Sequence, residues 1–183
     1  MNDSTKAAEP EDLNDPKEPN EAASAHRILS SRAECQEAFR RAFAEAARVG
    51  CRELWLCDVD YADWPLSERA VIDSLSQWAY SHRKLTMLAA GFDEIVRRHA
   101  RWVDWRRQWS HVVECRSLDD QMESSQIPTL LLAPGVLTLR IFDTIHHRGS
   151  ISHDLADAIR CRELVDGLLE QSSEAFPATT LGL

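Results

Sequence analysis

The sequence predicts a mixed α/β protein in which helices sandwich a sheet. Short, uninterrupted apolar runs of strand length alternate with segments whose apolar residues recur at helical spacing. In chain order the predicted elements are α-β-α-β-α-β-β-β-α, and this alternation is typical of layered α/β domains. With 183 residues and 44% hydrophobic content, the chain can bury one sizeable core. We therefore expect one folded domain.

The first 27 residues are acidic, rich in proline and almost without large apolar side chains. Residues 1–25 hold seven carboxylates against two lysines, which is −5 of the total charge of −9. Such a segment cannot offset its ordering entropy by burying apolar surface. We predict a disordered acidic tail over 1–27, an α/β domain over 28–174 and a C-terminal tail over 175–183.

The first helix and the first strand have the clearest signals. Ser31 forms a capping box with Glu34, three residues later, and Gly50 follows the last apolar residue of the helical pattern. The run from Leu54 to Cys57 is apolar throughout, which is typical of a strand covered on both faces. We predict a central strand here, and three carboxylates follow its carboxyl end, the usual place for a ligand crevice: Asp58, Asp60 and Asp63.

The remaining elements follow from the same periodicities and from turn residues between them. We predict a second helix from Pro65–Ser67 to the basic residues at 82–84, strands at 85–90 and 112–115, a third helix from about 93 to 109, a hairpin of strands at 129–132 and 136–142, and a last helix from about 153 to 172.

Charge, hydropathy and cysteine usage limit the classes of function. Outside residues 1–25 the net charge is only −4, the difference between −9 and −5, which argues against a general nucleic-acid binder. No apolar run approaches the ~20 residues of a membrane span, and the N-terminus has no export signal, so we expect a cytoplasmic protein. The five cysteines are expected to be buried and unpaired.

The Asp58-x-Asp60 pair resembles the opening of haloacid-dehalogenase-like phosphotransferases, in which carboxylates attack phosphorus and hold Mg²⁺. That chemistry also needs a lysine after a later strand, and Lys84 is the last lysine of the chain. Capping of the next loop is the simpler role for the two acids. A Mg-dependent phosphatase or phosphotransferase, with Asp58 and Asp60 as metal ligands, is therefore an alternative hypothesis.

Two further stretches concentrate basic and aromatic residues. The third predicted helix could bind an anion or nucleic acid, although the same spacing fits an ordinary amphipathic helix; its candidate binding residues are Arg97, Arg98, Arg101 and Trp105. The stretch before the last helix holds side chains suited to binding or acid–base work, although a polar turn explains them too; its candidates are His146, His147 and Arg148.

As an order of elements, Ser31 to Ser172 resembles a single lobe of the phospholipase D-like fold. The resemblance lies in a helix, the strand ELWLCDVD, a helix, the strand HRKLTMLA, a helix and the strand HVVECR. More narrowly, the chain is similar to a group of proteobacterial proteins that carry one such lobe without its catalytic motif.

In that family the active site is a strand reading H-x-K-x-x-x-x-D. The matching strand here is QIPTLLLA, which puts Gln126, Pro128 and Ala133 in place of the histidine, the lysine and the aspartate. The resemblance therefore implies a degenerate site without catalytic residues or a cofactor, in a binding or interaction module. Because lobes of this family associate face to face around their sites, it also implies a homodimer or another protein partner.

Overall fold

A computed structural model describes residues 26–80, 82–118 and 124–177 of the chain. Within these ranges the strands are β1 (His26–Leu29), β2 (Glu53–Cys57), β3 (Lys84–Ala89), β4 (Val113–Leu118), β5 (Thr129–Ala133), β6 (Leu137–Asp143), β7 (Arg148–Ser152) and β8 (Ser172–Glu174). The helices are α1 (Arg32–Val49), α2 (Arg69–Trp78), α3 (Asp93–Arg98), α4 (Ala100–Gln108) and α5 (Leu155–Glu170), with a short 3₁₀ helix at Ser124–Gln126.

The eight strands form one mixed sheet in the order β1-β7-β6-β5-β2-β3-β4-β8. Strands β2, β3 and β4 are parallel, and all other neighbours are antiparallel. Strand β2 lies inside the sheet, as predicted. Because β5 runs antiparallel to β2, the start of β5 lies beside the carboxyl end of β2.

The sheet buries apolar side chains on both faces, which explains the unbroken apolar run of β2. Leu54 and Leu56 pack into a large core with α1 to α4, whereas Trp55 and Cys57 pack into a smaller core under α5. The predicted mixed sheet sandwiched by helices is thus confirmed. All five cysteines are buried and free, also as predicted.

Helix α1 begins and ends where the sequence predicted. The Ser31 hydroxyl oxygen accepts a hydrogen bond from the backbone N–H of Glu34 at 3.2 Å, and Gly50 ends the helix with a φ of 73°. The second hydrogen bond of the capping box, which should join the Glu34 carboxylate to the backbone N–H of Ser31, is not the one observed. The Glu34 carboxylate accepts from the backbone N–H and the hydroxyl group of Ser30, at 2.8 and 3.1 Å, instead of from Ser31.

Strands β1, β7 and β8 were not predicted. They lie toward the two edges of the sheet, and few of their side chains are buried: in β1 only Leu29 is. Backbone pairing with a neighbouring strand creates them, and periodicity does not report such pairing. Strand β1 includes His26 and Arg27, which the sequence analysis assigned to the tail. Residues 1–25 lie outside the described residues, so their disorder stays a prediction.

Two of the predicted helices also differ from the observed ones, and the second predicted helix ends at Trp78, before the basic residues at 82–84. The third predicted helix is two helices, α3 and α4, because His99 between them has a non-helical φ of −120° and ψ of 49°. The second helix begins later, at Arg69, because Pro65–Ser67 form a turn before it. None of the helices in the described ranges has the length and apolar character that a membrane span requires.

The stretch predicted as a C-terminal tail begins by packing on the core. The backbone N–H of Ala175 donates to the carbonyl oxygen of Cys115 at 3.0 Å, and the Phe176 ring stacks on Phe92 with centroids 5.4 Å apart. Residues 178–183 lie outside the described residues.

Gly149 in β7 lies where β6 leaves no room for a side chain. An added Cβ would lie 2.5 Å from the Arg140 carbonyl oxygen and 2.6 Å from the Ile141 side chain. We therefore expect Gly149→Ala to lower the free energy of unfolding by about 2 kcal/mol, because the backbone must shift to admit the methyl group. Urea denaturation measures this difference.

The matched control is Gly167→Ala in α5, where an added Cβ meets nothing within 4 Å. This change should raise the free energy of unfolding by about 0.5–1 kcal/mol, because alanine favours a helix interior. Wild-type stability of Gly149→Ala would contradict the close approach of β6 and β7.

Candidate functional site

A cleft of about 300 Å³ opens at the carboxyl end of β2, the position predicted for a ligand crevice. Its walls are the first turn of α1, the acidic loop after β2, the start of β5 and the turn between β6 and β7. The polar side chains that matter for its chemistry are Arg32, Asp58, Asp60, Asp63, Thr129 and His147.

Asp58 makes the most hydrogen bonds in the cleft, and it is only 8% exposed. Its Oδ1 accepts from the backbone N–H groups of Asp60 at 3.1 Å and Tyr61 at 2.8 Å. Its Oδ2 accepts from Nε1 of Trp64 at 3.1 Å and from the hydroxyl group of Thr129 at 2.6 Å. Since a carboxylate has about four acceptor sites, the fold uses the whole hydrogen-bonding capacity of this side chain.

Tyr61 fixes the acidic loop to the sheet. Its backbone has a left-handed φ of 60°, and its buried hydroxyl group shares a proton between the carbonyl oxygens of Leu56 and Leu88, each 2.8 Å away. Nε2 of His99 donates to the Tyr61 carbonyl oxygen at 2.9 Å. Burial lowers the pKa of His99, so the ring is neutral at pH 7. This inward bond accompanies the break between α3 and α4.

The cleft carries an excess of negative charge. Three carboxylates of the acidic loop line it together with a single arginine, Arg32, which pairs with Asp63 at 2.8 Å. Hydrogen bonding to Glu94 at 2.7 Å, with a smaller contribution from Asp63 and Asp60, raises the pKa of Arg98 nearby. Arg98 is thus held mainly by Glu94. A phosphate group in the cleft would meet net repulsion.

The basic residues predicted before the last helix lie at the turn between β6 and β7. The backbone N–H and Nδ1 of His146 both bond to the Asp143 carboxylate at 2.9 Å, which lowers the pKa of Asp143. His147 lines the cleft, and its carbonyl oxygen accepts from the Cys35 thiol at 3.3 Å. Arg148 is exposed at the start of β7. Of the three, His147 is the cleft residue.

The arginine- and tryptophan-rich segment does not present the surface that was expected. Trp105 is 4% exposed and packs in the core, which corrects the expectation that its ring could stack on a ligand. Arg97 and Arg98 are exposed, but both bond to Glu94 at 3.1 and 2.7 Å. Arg101 donates to a backbone carbonyl oxygen at 3.1 Å. These arginines already have partners within the fold.

The described residues contain no group of three or more His, Cys, Asp or Glu side chains arranged to hold a metal ion. The Asp58 carboxylate is occupied by four donors, and Oδ1 of Asp60 accepts from the backbone N–H of Ala62 at 2.9 Å. Both acids therefore cap the loop, which was the simpler of the two roles that the sequence left open.

The residues that the sequence resemblance assigns to the catalytic motif lie on strand β5 and just before it. Its first residue, Thr129, reaches Asp58 in the cleft. Gln126 is exposed and Pro128 is half-buried just before the strand, and Ala133 is fully buried at its end. These three side chains bring neither a nucleophile nor a positive charge to this position.

Sequence reasoning missed Arg32, Trp64 and Thr129 as parts of the cleft. Trp64 could have been identified from the sequence, because its indole N–H donor lies six residues after Asp58, whose carboxylate accepts from it. Thr129 had no local signal, because its bond to Asp58 joins residues 71 positions apart and depends on the pairing of β5 with β2.

The order of strands and the helices on both faces define the class of fold to which the chain belongs. No family model matches the chain, and no curated protein is similar to it in sequence. Solved structures do match. NucT from Helicobacter pylori aligns with a TM-score of 0.53 and 7% identity, over 82% of this chain and 98% of that one. Nuc from Salmonella typhimurium, a phospholipase D family member, aligns with a TM-score of 0.52 and 8% identity, over the same shares. The chain therefore has a phospholipase D-like fold.

An archaeal chromatin protein, TrmBL2, aligns with a TM-score of 0.58 and 11% identity. Its structure is described as showing a novel mode of DNA binding. The match covers 82% of this chain and 55% of TrmBL2, so the chain spans about half the length of that protein. At this identity the likeness again concerns the fold alone.

We expect Asp58→Asn to lower the free energy of unfolding by about 2–3 kcal/mol, because an amide group would face the Trp64 indole N–H without accepting from it. Chemical denaturation measures this loss. Asp60→Asn is the matched control: its amide oxygen can still accept from Ala62, so we expect a change below about 0.5 kcal/mol.

The same proteins test the metal hypothesis. A ligand that binds only the native state raises the melting temperature. Because we expect no Mg²⁺ site, millimolar Mg²⁺ should leave the wild-type melting temperature unchanged. A rise that Asp60→Asn abolishes would revive the phosphotransferase hypothesis.

Proposed function

We propose that the chain is a non-catalytic interaction module: a phospholipase D-like lobe whose cleft binds a protein surface instead of a phosphodiester. The charge of the cleft carries this proposal. Three carboxylates line it with one arginine, and that arginine is already paired. A phosphodiester is an anion and needs cationic groups to hold it, whereas an acidic cleft favours a partner with cationic side chains.

The residues at the catalytic positions support the same conclusion. Gln126, Pro128 and Ala133 offer no nucleophile, no cation and no carboxylate to that position. His147 does line the cleft, but a histidine that attacks phosphorus also needs a cation to hold the phosphate, and the lining charge has the opposite sign. The five free cysteines are compatible with a reducing, cytoplasmic setting.

Nucleic-acid binding is a second candidate, because the fold is shared with a chromatin protein described as binding DNA. In this chain the exposed arginines of α3 pair with Glu94, and Trp105 is buried. These contacts favour the protein-binding proposal. Retention on heparin that weakens steeply with salt would instead support the second candidate.

We propose further that the partner is a second copy of the chain. The turn between β6 and β7 stands beside the cleft and exposes Ile145, 82% accessible, next to His146 and Arg148. In a two-fold pair, the turn of each copy can enter the acidic cleft of the other. Such a pair would bury the apolar surface of Ile145 and bring the Arg148 guanidinium toward the carboxylates of the other copy.

We expect the chain not to hydrolyse bis(p-nitrophenyl) phosphate, with or without Mg²⁺, and not to gain thermal stability in millimolar phosphate. The physical reason is repulsion between the anion and the cleft carboxylates. Absorbance of p-nitrophenolate and the melting temperature measure the two outcomes. Turnover by the wild-type chain that is lost in His147→Asn would contradict the proposal and show that the cleft is catalytic. Asparagine suits this control because it tolerates the left-handed φ of 52° at His147.

We expect sedimentation equilibrium to show a dimer that Ile145→Asp weakens at least tenfold, because a carboxylate would enter an acidic, partly apolar interface. Leu155→Asp on α5 is the matched control, since Leu155 is also an exposed aliphatic residue, 68% accessible, and does not line the cleft. It should leave the dimer intact. A wild-type monomer at all concentrations would rule out the second copy as partner.

A further inference from the structure

A second groove, of about 460 Å³, lies between α1 and the β1–β7–β6 side of the sheet. Its charge is opposite to that of the cleft. Three arginines and one glutamate line it, which gives a charge of +2; they are Arg27, Arg41, Arg48 and Glu45. His153 lines it as well. Leu137 and Ile151 add an apolar floor. The charge and the apolar floor of the groove therefore suit an anionic segment that also has some apolar surface.

The arginines of this groove are held only by exposed contacts. Arg41 pairs with Glu37 at 2.8 Å and Arg48 with Glu45 at 2.6 Å, and the two arginine side chains are 66% and 71% exposed. Such exposed pairs stabilise the fold only weakly, so another carboxylate can replace or share them. The Arg27 side chain has no hydrogen bond or ion pair within the described residues. Its charge adds, after the hydrogen bonds from Ser30, to lowering the pKa of Glu34.

The acidic N-terminal segment joins the fold at the mouth of this groove. Strand β1 begins at His26, which pairs with Ser152, and the next residue, Arg27, pairs with Ile151. Arg27 and Ile151 both line the groove. The residues that precede His26 carry seven carboxylates and two lysines. A charge of −5 is thus tethered directly beside a groove of charge +2.

We propose that residues 1–25 bind in cis to this basic groove. Glu21 and Glu18 precede His26 by five and eight residues, and an extended chain spans at most ~3.5 Å per residue, so both can reach the groove arginines. A short tether of this kind gives an effective concentration in the millimolar range, so weak ion pairs suffice. The tail is therefore a better occupant than an unattached anion of similar charge.

The arginine-rich segment α3–α4 is the competing site within the chain. It belongs to the half of the fold around β3 and β4, whereas β1 is the edge strand of the opposite half. Arg97 and Arg98 also pair with Glu94, which is only 24% exposed. The groove beside β1 is closer to the root of the tail, and its contacts are more exposed.

The test compares ¹⁵N spectra of the full chain with those of a full-length variant in which Asp12, Asp15, Glu18 and Glu21 are changed to Asn or Gln. We expect amide shifts to differ at the groove residues Arg27, Arg41, Ala44, Arg48 and His153. The difference should vanish at high salt, where the Debye length falls to about 3 Å at 1 M. Identical spectra, or changes at Arg97 and Arg107 instead, would overturn the proposal.

A nitroxide on Asn14→Cys gives a second readout, because the five native cysteines are buried and free. We expect line broadening at the groove, lost in Arg41→Gln/Arg48→Gln and kept in the matched control Arg97→Gln/Arg107→Gln. The control sample mixes ¹⁵N-labelled chain without nitroxide and unlabelled chain with nitroxide. If this mixture shows line broadening as strong as that within one chain, the segment binds in trans and the cis proposal is wrong.

Discussion

The buried carboxylate of Asp58 is the interaction on which the candidate site depends. It ties together three parts of the chain: the end of β2, the acidic loop through Tyr61 and Trp64, and the start of β5 through Thr129. A buried charge is costly unless it is fully hydrogen-bonded, and here four donors satisfy it. These hydrogen bonds join the loop, which forms one wall of the cleft, to β2 and β5. The Tyr61 hydroxyl group and the His99 ring hold the same loop from below.

The same hydrogen bonds use the acceptor sites of the Asp58 carboxylate within the fold. An acid that accepts four internal hydrogen bonds has no lone pair left for a metal ion or for a proton in transit. A phospholipase D-like fold does not by itself imply a phospholipase D-like reaction, because activity depends on the side chains at the site.

Charge divides the molecule into two surfaces of opposite sign. The cleft at the carboxyl end of β2 is acidic, whereas the groove between α1 and β1–β7–β6 is basic. Most of the net charge of −9 lies in residues 1–25, and the chain leaves that segment beside the basic groove, at the start of β1.

The sequence by itself determined the elements whose signals are local. The cap of α1 at Ser31, its end at Gly50 and the burial of β2 on both faces could be read from neighbouring residues, and so could the acidic rim of the cleft. Tertiary structure decided the rest. Strands β1, β7 and β8 exist because of their partners. The break between α3 and α4 at His99 accompanies a bond to Tyr61, and Trp105 is buried in the core. Thr129 meets Asp58 across 71 residues. The physical reason is that strand order and register, which bring distant residues together, leave little trace in local periodicity.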